Sequence, residues 1–387
     1  MKRILLTGAT GTITSELIAP LLAKNYHVIC LIRGDTDTAR CRLYEIIGDI
    51  ADSVEIISGD VQMPLAGVSA YDMSRLRGKV SKLVHGAASI NFEGVDTLYT
   101  NVDGTQNVLN LAKAIGCGEF HFQSTAYIAG GLDFLGEEDL GEVAKTRNVY
   151  EWSKLKAEQL VRSCGIPHSI YRIGIVVGKQ TTGEIFRYTG YYQFFFWFYY
   201  LREVLRQQWL ANPQTLRAEG IEFDAEGFLH FPVNVDCSPT STLNLVPIDW
   251  LVENMVELIQ VPCEGKNFHL THPQPEKFQS IMEWTLETLQ IKSVRYRNGN
   301  QESRSLLLNS FQGKLDRGCR QYFPYINHEA EFGFTLIPDV LKNRYRPPVV
   351  VDKDFIEILM NEAVRVQFRK QEWMSHPAGK QKIKNVA

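Results

Sequence analysis

The stretch RILLTGATGTITSELIAPLLAKN, residues 3–25, decides the fold that the sequence predicts. A short apolar run leads into a loop with Gly8 and Gly11, and apolar residues at helical spacing follow. The first half of the chain repeats this alternation. Strands are predicted at 3–7, 27–32, 54–58, 82–86, 119–124 and 168–173. Strands that alternate with helices predict an α/β protein with a Rossmann-type, doubly wound parallel sheet.

The alternation weakens near residue 178, which suggests three parts. Residues 1–178 are predicted to form the Rossmann core, and residues 179–375 a smaller C-terminal region. A further strand and helix pattern at about 240–275 predicts that some of those segments return to the core sheet. The polar and basic last residues, 376–387, are expected to form a flexible tail.

Composition argues against several classes of function. The 387-residue chain has 41 Lys and Arg against 44 Asp and Glu, a balance that gives no general attraction to nucleic acid. The seven cysteines are scattered without CxxC spacing and the histidines show no ligand spacing, so we expect free thiols, a cytoplasmic location and no metal site. The most apolar stretch, residues 191–201, is too short for a transmembrane helix.

The glycine loop has a specific chemical use. Glycines directly after a strand let the backbone turn tightly and approach a pyrophosphate, whose charge then lies on the helix N-terminus. A nucleotide-cofactor site is therefore predicted at Thr7, Gly8, Thr10, Gly11, Thr12 and Ile13. Thr14 stands where a third small residue is usual, so we expect a slight local adjustment. By itself the pattern is weak evidence, because a simple strand-to-helix turn also explains it.

Residues after the next three strands extend the predicted cofactor site. Arg33 follows the second strand, where NAD-specific proteins tend to have an acid; an arginine there can bind the 2′-phosphate of NADP, assisted by Arg42 or, less favourably, Arg40. The alternative is a solvated arginine at a strand end. Small residues after the fourth strand let the backbone pass close to a cofactor. The remaining predicted contacts are Asp60, Val61, Gly86, Ala87 and Ala88.

Tyr150 and Lys154 in NVYEWSKLKAEQLV (148–161) are four residues apart and therefore lie on one face of a predicted helix. A nearby cation that stabilises the phenolate can bring a tyrosine pKa of about 10 toward neutral, which would make Tyr150 an acid–base group. This spacing also occurs by chance in many helices. The fifth strand, however, runs into Ser124 and Thr125, and a hydroxyl at a carboxyl strand end can hold a substrate carbonyl beside the tyrosine.

The motifs TGATGTI, HGAAS, NVDGTQNVL, STAYIAG, YEWSK and YRIGIVVG occur in the order found in extended short-chain dehydrogenases/reductases, and NLVPIDW follows. Over residues 1 to about 275 the chain resembles that family. The resemblance implies that Thr125 is the catalytic hydroxyl, that Tyr150 is the acid–base residue and that Lys154 is its helper. It implies a proton-relay or helix-shaping role for Asn101. Cofactor contacts are also expected from Ser124, Tyr150, Lys154 and Ile173, which stands where proline is usual.

Finer details, among them GDVQMPLAG, LVHGAASINF and VVGKQTTGE, most resemble the thioester reductase and fatty acyl-CoA reductase group. This implies NADPH-dependent reduction of an acyl thioester, held by an acyl or peptidyl carrier protein or by CoA, to an aldehyde, with reduction onward to the alcohol left open. Residues 179–375 would then bind the substrate. The alternatives are a nucleotide-sugar epimerase or a hydroxysteroid-type dehydrogenase on the same scaffold, and a cofactor-sensing protein without catalysis.

The segment FRYTGYYQFFFWFYYLREVLRQQW, residues 186–209, has the most unusual composition of the chain. A buried helix explains it, because aromatic clusters dominate protein cores. An apolar wall for an acyl chain, a homodimer face or a peripheral membrane contact explains it as well. The sequence leaves these alternatives open.

Overall fold

The computed structural model describes residues 1–138, 145–296 and 306–369. The chain forms two compact units. The first comprises residues 1–174, 248–273 and 330–348, and the second comprises residues 175–247, 274–329 and those from 349 onward. The tail predicted at 376–387 lies outside the described residues.

The first unit is built on a seven-stranded sheet in which every neighbouring pair is parallel. Its strands are β1 (Lys2–Thr7), β2 (Tyr26–Ile32), β3 (Glu55–Ser58), β4 (Val80–His85), β5 (Glu119–Thr125), β6 (His168–Ile173) and β7 (Lys266–Leu270). They lie in the order β7-β6-β5-β4-β1-β2-β3. The predicted doubly wound parallel sheet is confirmed, and six of its strands lie within two residues of the predicted bounds.

Helices connect these strands and cover the sheet. They are α1 (Thr12–Ala23), α2 (Thr36–Ile47), α3 (Ala70–Leu76), α4 (Gly104–Ala114), α5 (Val149–Arg162), α6 (Ile248–Ile259) and α7 (Leu336–Leu341). Leu5, Leu83 and Phe120 of the strands share one buried cluster with Val108 of α4 and Ala157 of α5. The β1 residues on either side of Leu5 are fully buried too, so both faces of the sheet are covered.

The strand order reverses between β1 and β4, which are paired so that Thr7 lies opposite His85. In an open parallel sheet, such a switch point forms the ligand crevice at the carboxyl ends of the strands. The glycine loop after β1 and the small residues after β4 therefore reach the same edge. β5 ends at this edge with Thr125, which is paired with Ile173 of β6.

The second unit is mainly helical, with short strands. Its helices are Tyr191–Ala211, Pro213–Arg217, Phe278–Thr288, Leu306–Cys319, Phe323–Asn327 and Lys353–Arg365. Its strands are Ile175–Val177, Glu222–Phe223, Leu229–His230, Asn234–Val235, Thr242–Leu243, Leu245–Pro247, Glu276–Lys277, Ile291–Lys292 and Arg295–Tyr296.

The helix Tyr191–Ala211 carries the aromatic segment into the core of this second unit. Phe194 packs edge-on against Phe278, with ring centroids 5.7 Å apart, and Trp197 lies so close to Gly318 that a Cβ atom there would collide with the indole ring. Seven of the aromatic side chains of this helix are buried. The structure therefore favours the buried-helix alternative over an acyl-chain wall or a dimer face.

All seven cysteines lie within the described residues and are free thiols, as the scattered spacing predicts. Across the three described ranges, no helix combines the length and the apolar character that crossing a bilayer requires.

Candidate active site

The glycine loop between β1 and α1 is sterically constrained. Gly8 has φ +74°, and its carbonyl accepts a 2.8 Å hydrogen bond from the amide of Gly11. A Cβ atom on Gly8 would lie 2.5 Å from the backbone nitrogen of Ala87, so the two backbone segments cross where only glycine fits. Thr10, Thr12 and Ile13 follow in half-buried positions around the start of α1.

The end of β4 packs tightly against this loop. The Thr7 hydroxyl hydrogen-bonds Nδ1 of His85 at 2.7 Å and accepts the amide of Ala87 at 3.3 Å, which fixes the two strand ends together. A Cβ atom on Gly86 would collide with the Thr14 hydroxyl. Thr14 at the third position of the loop is therefore accommodated by the absence of a side chain at Gly86. Ala88, the last predicted contact after β4, is exposed.

Two arginines lie beyond β2, where the adenosine end of a dinucleotide is predicted. Arg33 is exposed, and Arg42 of α2 places a guanidinium nitrogen 3.5 Å from the Cβ position of Gly34. Nε of Arg42 is buried and has no hydrogen-bond partner among the described residues. Arg40 points elsewhere, donating to the carbonyl of Ala51 at 2.8 Å. Arg42 is thus better placed than Arg40 to assist Arg33.

The residues after β3 lie beside these arginines in the predicted site. Asp60 is half-buried, and its carboxylate accepts the amide of Gln62 at 3.0 Å. Val61 is buried, and its carbonyl accepts Nδ2 of Asn107 at 3.0 Å. Contact of either residue with a nucleotide stays a prediction.

A dinucleotide fits this edge of the sheet. The crossing at Gly8 brings bare backbone to the surface, and the N-cap of α1 at Gly11 makes no side-chain hydrogen bond, so the amides of the first turn can receive a pyrophosphate. Nε of Arg42, near the end of β2, is a donor without a partner among the described residues. These are the residues that could hold an NAD(P) cofactor.

Tyr150 lies in the first turn of α5, which begins where the Asn148 side chain accepts the amide of Glu151 at 3.0 Å. Its ring stacks on Phe92, with centroids 6.0 Å apart, and its phenol lies near the Thr125 hydroxyl. Burial raises the pKa of Tyr150 to about 12, although the Thr125 hydroxyl acts in the opposite direction. The structure thus differs from the prediction that the cation of Lys154 brings this pKa toward neutral, because desolvation is the largest effect.

Thr125 is the last residue of β5 and is 5% exposed. Its hydroxyl donates to the carbonyl of Ile173 at 3.3 Å and accepts the amide of Tyr127 at 3.3 Å. The structure therefore brings Thr125, Tyr150 and Ile173 together at the carboxyl edge of the sheet.

Lys154 follows Tyr150 by one turn and is 4% exposed. Its ammonium donates to the carbonyl of Gln123 at 2.7 Å and lies 4.7 Å from the centre of the Phe122 ring. Burial lowers the pKa of Lys154 to about 8, and the charge of Glu158 acts against that shift. At neutral pH Lys154 is therefore mainly an ammonium.

Asn101 lies in a π-helical turn, Tyr99–Asp103, directly before α4. Its side-chain amide accepts from the amide of Ser89, donates to the carbonyl of Ser89, and donates to the Ser153 hydroxyl at 2.9 Å. Ser153 in turn donates to the carbonyl of Tyr150. These bonds fit the helix-shaping alternative better than the proton-relay alternative, since they occupy the side chain in fixing backbone around Tyr150.

Ser124 is predicted to contact the cofactor, but its hydroxyl lies elsewhere. That hydroxyl donates to the carboxylate of Glu158 on α5 at 2.6 Å. Glu158 also pairs with Arg172, and both side chains are fully buried. This network is not evident in the sequence. The one indication in the sequence is that Glu158 lies one helical turn after Lys154 and therefore on the same face of the helix.

At the opposite edge of the sheet, Glu119, His121 and Cys263 lie close enough for their ligand atoms to fall within 4.8 Å of one another. Ligand spacing in the sequence could not reveal this group, because Cys263 is distant in the chain from Glu119 and His121. Lys82 forms a close ion pair with Glu119, and burial raises the pKa of the Cys263 thiol to about 12. An ammonium thus already balances the carboxylate, and we interpret the group as an ion-pair network.

Comparison with known proteins places the chain among reductases. The isonitrile lipopeptide synthase of Mycobacterium tuberculosis is 29% identical over 212 residues, which cover 47% of this chain and 8% of that protein. The glycine betaine reductase of Emericella nidulans is 30% identical over 210 residues, covering 47% of this chain and 20% of that protein. The chain therefore spans a small part of the curated relatives that it matches.

Solved structures show the same fold. The terminal R domain from the myxalamid PKS-NRPS biosynthetic pathway has a TM-score of 0.76 at 21% identity, with 95% of this chain and 92% of that chain covered. A UDP-galactose 4-epimerase has a TM-score of 0.56 at 16% identity, with 94% and 99% covered.

The family match covers more than half of the chain. Residues 6–255 match the family described as male sterility protein, and this range includes the end of β1, the glycine loop, Thr125, Tyr150 and Lys154. The chain therefore belongs to this family, within the thioester reductase group of extended short-chain dehydrogenases/reductases, which are NAD(P)H-dependent oxidoreductases.

Proposed function

We propose that this protein reduces an acyl thioester to an aldehyde with NADPH, and that the acyl group arrives on a carrier protein or on CoA. The observation that carries the proposal is the placement of the Tyr150 phenol near the Thr125 hydroxyl at the carboxyl end of β5, with the Lys154 ammonium one helical turn away. Two hydroxyls at this point can bind one carbonyl oxygen. The names of the relatives, a lipopeptide synthase and the terminal R domain of a PKS-NRPS pathway, support a substrate delivered as a thioester.

The residues of the chain divide the chemistry between them. NADPH, when bound, supplies the hydride to the carbonyl carbon of the thioester. Tyr150, and Thr125 once its hydroxyl turns from the carbonyl of Ile173, donate hydrogen bonds to the carbonyl oxygen and stabilise the negative charge that develops on it. Lys154 adds a positive charge below pH of about 8. The glycine loop and Arg33 with Arg42 would hold the cofactor.

The pKa of Tyr150 suits a proton donor. At a pKa of about 12 the phenol keeps its proton at neutral pH, and it can transfer that proton once the carbonyl oxygen becomes an alkoxide. The product of this step is a hemithioacetal. Its carbon–sulfur bond then breaks as its hydroxyl loses a proton, which gives the aldehyde and, after protonation of sulfur, the free thiol. A second hydride and proton would convert the aldehyde to the alcohol.

Two features support NADPH over NADH. Arg33 and Arg42 would place two positive charges where the 2′-phosphate lies, and Nε of Arg42 has no partner among the described side chains and backbone. An arginine pair binds a phosphate through charge-assisted hydrogen bonds. The wild-type protein should therefore oxidise NADPH with a kcat/KM at least about tenfold above that for NADH.

The test compares Tyr150→Phe with wild type in NADPH oxidation, followed at the nicotinamide absorbance band. The substrate panel contains acyl-CoA esters, the same acyl groups on a carrier protein and aldehydes; UDP-sugars are assayed separately by chromatography of the products, because epimerisation consumes no NADPH. We expect Tyr150→Phe to lose about 10²-fold or more in kcat, because the proton donor is gone. Turnover at the wild-type rate would contradict the proposal, and conversion of UDP-sugars alone would favour the epimerase alternative.

The matched control is Tyr171→Phe. Tyr171 is fully buried, and its hydroxyl hydrogen-bonds His121 at 2.8 Å in the group at the amino edge of the sheet. Its substitution should leave the activity of the folded protein within about twofold of wild type, because it lies outside the proposed machinery. NADPH binding, measured by fluorescence, checks that both variants retain the cofactor site.

A further inference from the structure

We infer that Glu158 is a positioning residue: its carboxylate joins the three segments that carry the reacting groups, and its charge faces the ammonium of Lys154. The inference rests on the proposed function, because that function assigns Thr125 and Lys154 to catalysis. It concerns a residue that does not itself touch the substrate or the cofactor.

The hydrogen bonds of Glu158 reach both adjacent strand ends. One carboxylate oxygen accepts the Ser124 hydroxyl at 2.6 Å and Nε of Arg172 at 3.3 Å. The other accepts Arg172 at 3.1 Å and Arg162 at 2.7 Å. Glu158 lies on α5, Ser124 on β5 and Arg172 on β6, so one buried carboxylate fastens a helix to two strands.

The two partners on the strands are each one residue away from a proposed site residue. Ser124 precedes Thr125, and Arg172 precedes Ile173, whose carbonyl accepts the Thr125 hydroxyl. On the helix, Glu158 follows Lys154 by four residues and therefore lies on the same face. A shift at Glu158 would therefore displace Thr125 relative to Lys154, and displacements of this kind cost rate because the reacting groups must meet in one geometry.

The positive charges around Glu158 outnumber its single negative charge. Arg172 is fully buried, and Arg162 and Lys154 add two further positive charges. Burial alone would raise the pKa of Glu158, but the charges of Arg172 and Arg162 lower it, so Glu158 is ionised.

Two histidines near these cations are neutral at pH 7: burial lowers the pKa of His269, which contacts Arg172, to about 4. Burial lowers that of His85, which the charge of Lys154 also affects, to about 3.

Glu158 is thus the carboxylate that supports the ammonium of Lys154. The first turn of the same helix carries Tyr150, whose phenol is protonated at neutral pH, and Glu151, whose buried carboxylate pairs with Arg147 at 2.9 Å. Among the described residues, Glu158 is the group whose negative charge opposes the effect of burial on Lys154. Replacing that charge would leave Lys154 in a buried position with its desolvation uncompensated.

The first arm of the experiment needs no substrate. Lysines are labelled with ¹³C at Cε, the NMR signals are titrated with pH in the free protein, and Lys154→Arg identifies the signal of Lys154. In Glu158→Gln we expect the midpoint of Lys154 to fall by about one pH unit or more. In the control Glu119→Gln, which removes a partly buried carboxylate at the other end of β5, the midpoint should not move. An unchanged midpoint in Glu158→Gln would overturn the inference that the charge of Glu158 supports the ammonium of Lys154.

The second arm measures turnover of an acyl thioester with NADPH. Ser124→Ala keeps the charge of Glu158 and removes its link to β5. We expect kcat to fall by about threefold to tenfold while the KM for NADPH and the midpoint of Lys154 stay near wild type. Wild-type kcat in Ser124→Ala would overturn the positioning role.

Glu158→Asp is the conservative rescue, and it also serves if Glu158→Gln does not fold. Aspartate keeps the charge on a shorter side chain, so the Lys154 midpoint should remain within about half a unit of wild type while kcat stays reduced. A midpoint in Glu158→Asp that falls by about one unit would contradict the inference. If wild type does not turn over thioesters, the proposed function fails, and the NMR arm still decides whether Glu158 supports Lys154.

Discussion

The two ends of strand β5 both carry buried titratable groups, and they differ in how those groups are satisfied. At the amino end, Lys82 pairs with Glu119, and His121 hydrogen-bonds Tyr171. At the carboxyl end, the ammonium of Lys154 meets a backbone carbonyl, and the nearby start of α1 has no side-chain cap. Unused hydrogen-bonding capacity, more than the presence of ionisable residues, distinguishes a ligand site from a structural network.

Substituting the lysine at each end tests this comparison most strongly. Lys154 and Lys82 are 4% and 5% exposed, respectively. We expect Lys154→Met to lower kcat with an acyl thioester by about 10²-fold or more, because the charge beside Tyr150 is lost. Steady-state NADPH oxidation measures the effect.

Lys82→Met is the matched control. It should keep kcat within about twofold and lower the free energy of unfolding by about 1–3 kcal/mol, because Glu119, whose side chain is 26% exposed, loses its partner. Urea unfolding measures this change. Equal losses of activity in the two variants would remove the distinction between the two ends.

The second comparison uses one glycine at each edge of the sheet, Gly8 directly after β1 and Gly78 just before β4. Gly8 and Gly78 both have positive φ, +74° and +68°, but a Cβ atom on Gly78 would meet nothing within 4 Å. Gly78→Ala should cost about 1 kcal/mol of stability from backbone strain alone. Gly8→Ala should cost more and weaken NADPH binding by about tenfold or more, because its Cβ atom would separate the glycine loop from Ala87.

Fluorescence titration with NADPH, together with urea unfolding, separates the two contributions. If Gly8→Ala bound NADPH as tightly as Gly78→Ala, the close crossing of the loop and the end of β4 would have no role in cofactor binding.

The smallest expected effect concerns acid stability. Burial lowers the pKa of His85 to about 3 and also lowers that of His121, but Glu119 opposes the shift at His121. The native state therefore stays unprotonated at His85 while the unfolded chain binds a proton below pH of about 6.5, so this contribution to stability is present above that pH and is lost as the pH falls toward 3.

The free energy of unfolding of the wild-type protein should decline between pH 7 and pH 5. His85→Gln should make this decline smaller, and its effect should exceed that of His121→Gln by about 1 kcal/mol. Urea unfolding at the two pH values provides the measurement. An equal decline in the two variants would show that Glu119 does not oppose the effect of burial on the pKa of His121.

The sequence predicted the features that depend on local pattern. Six strands, the glycine loop and the helix with Tyr150 and Lys154 each come from a continuous stretch whose periodicity or spacing is visible in the chain. The strand order then follows from general rules for parallel sheets, and it brings Gly8, Gly86 and Thr125 to one edge.

The features that the sequence did not reveal depend on the direction of side chains in the fold and on contacts between residues that are distant in the chain. Ser124 and Thr125 are neighbours in the chain, and only the fold decides that the Ser124 hydroxyl bonds Glu158 while the Thr125 hydroxyl bonds the carbonyl of Ile173. The contact between His121 and Cys263 joins residues 142 positions apart. The effect of burial on Tyr150 could not be judged either, because desolvation depends on the surrounding fold and outweighs the effect of the Thr125 hydroxyl.

The π-helical turn before α4 gives the chain one residue more than a regular helix of the same rise would contain. Each residue of an α-helix advances the direction of the side chains by about 100°. Deleting a single residue from Tyr99–Asp103 would therefore rotate the preceding turn relative to α4 and separate Asn101 from Ser89 or Ser153. The arrangement around Tyr150 is thus encoded partly by chain length, which a scan of substitutions would not detect and a scan of single-residue deletions would.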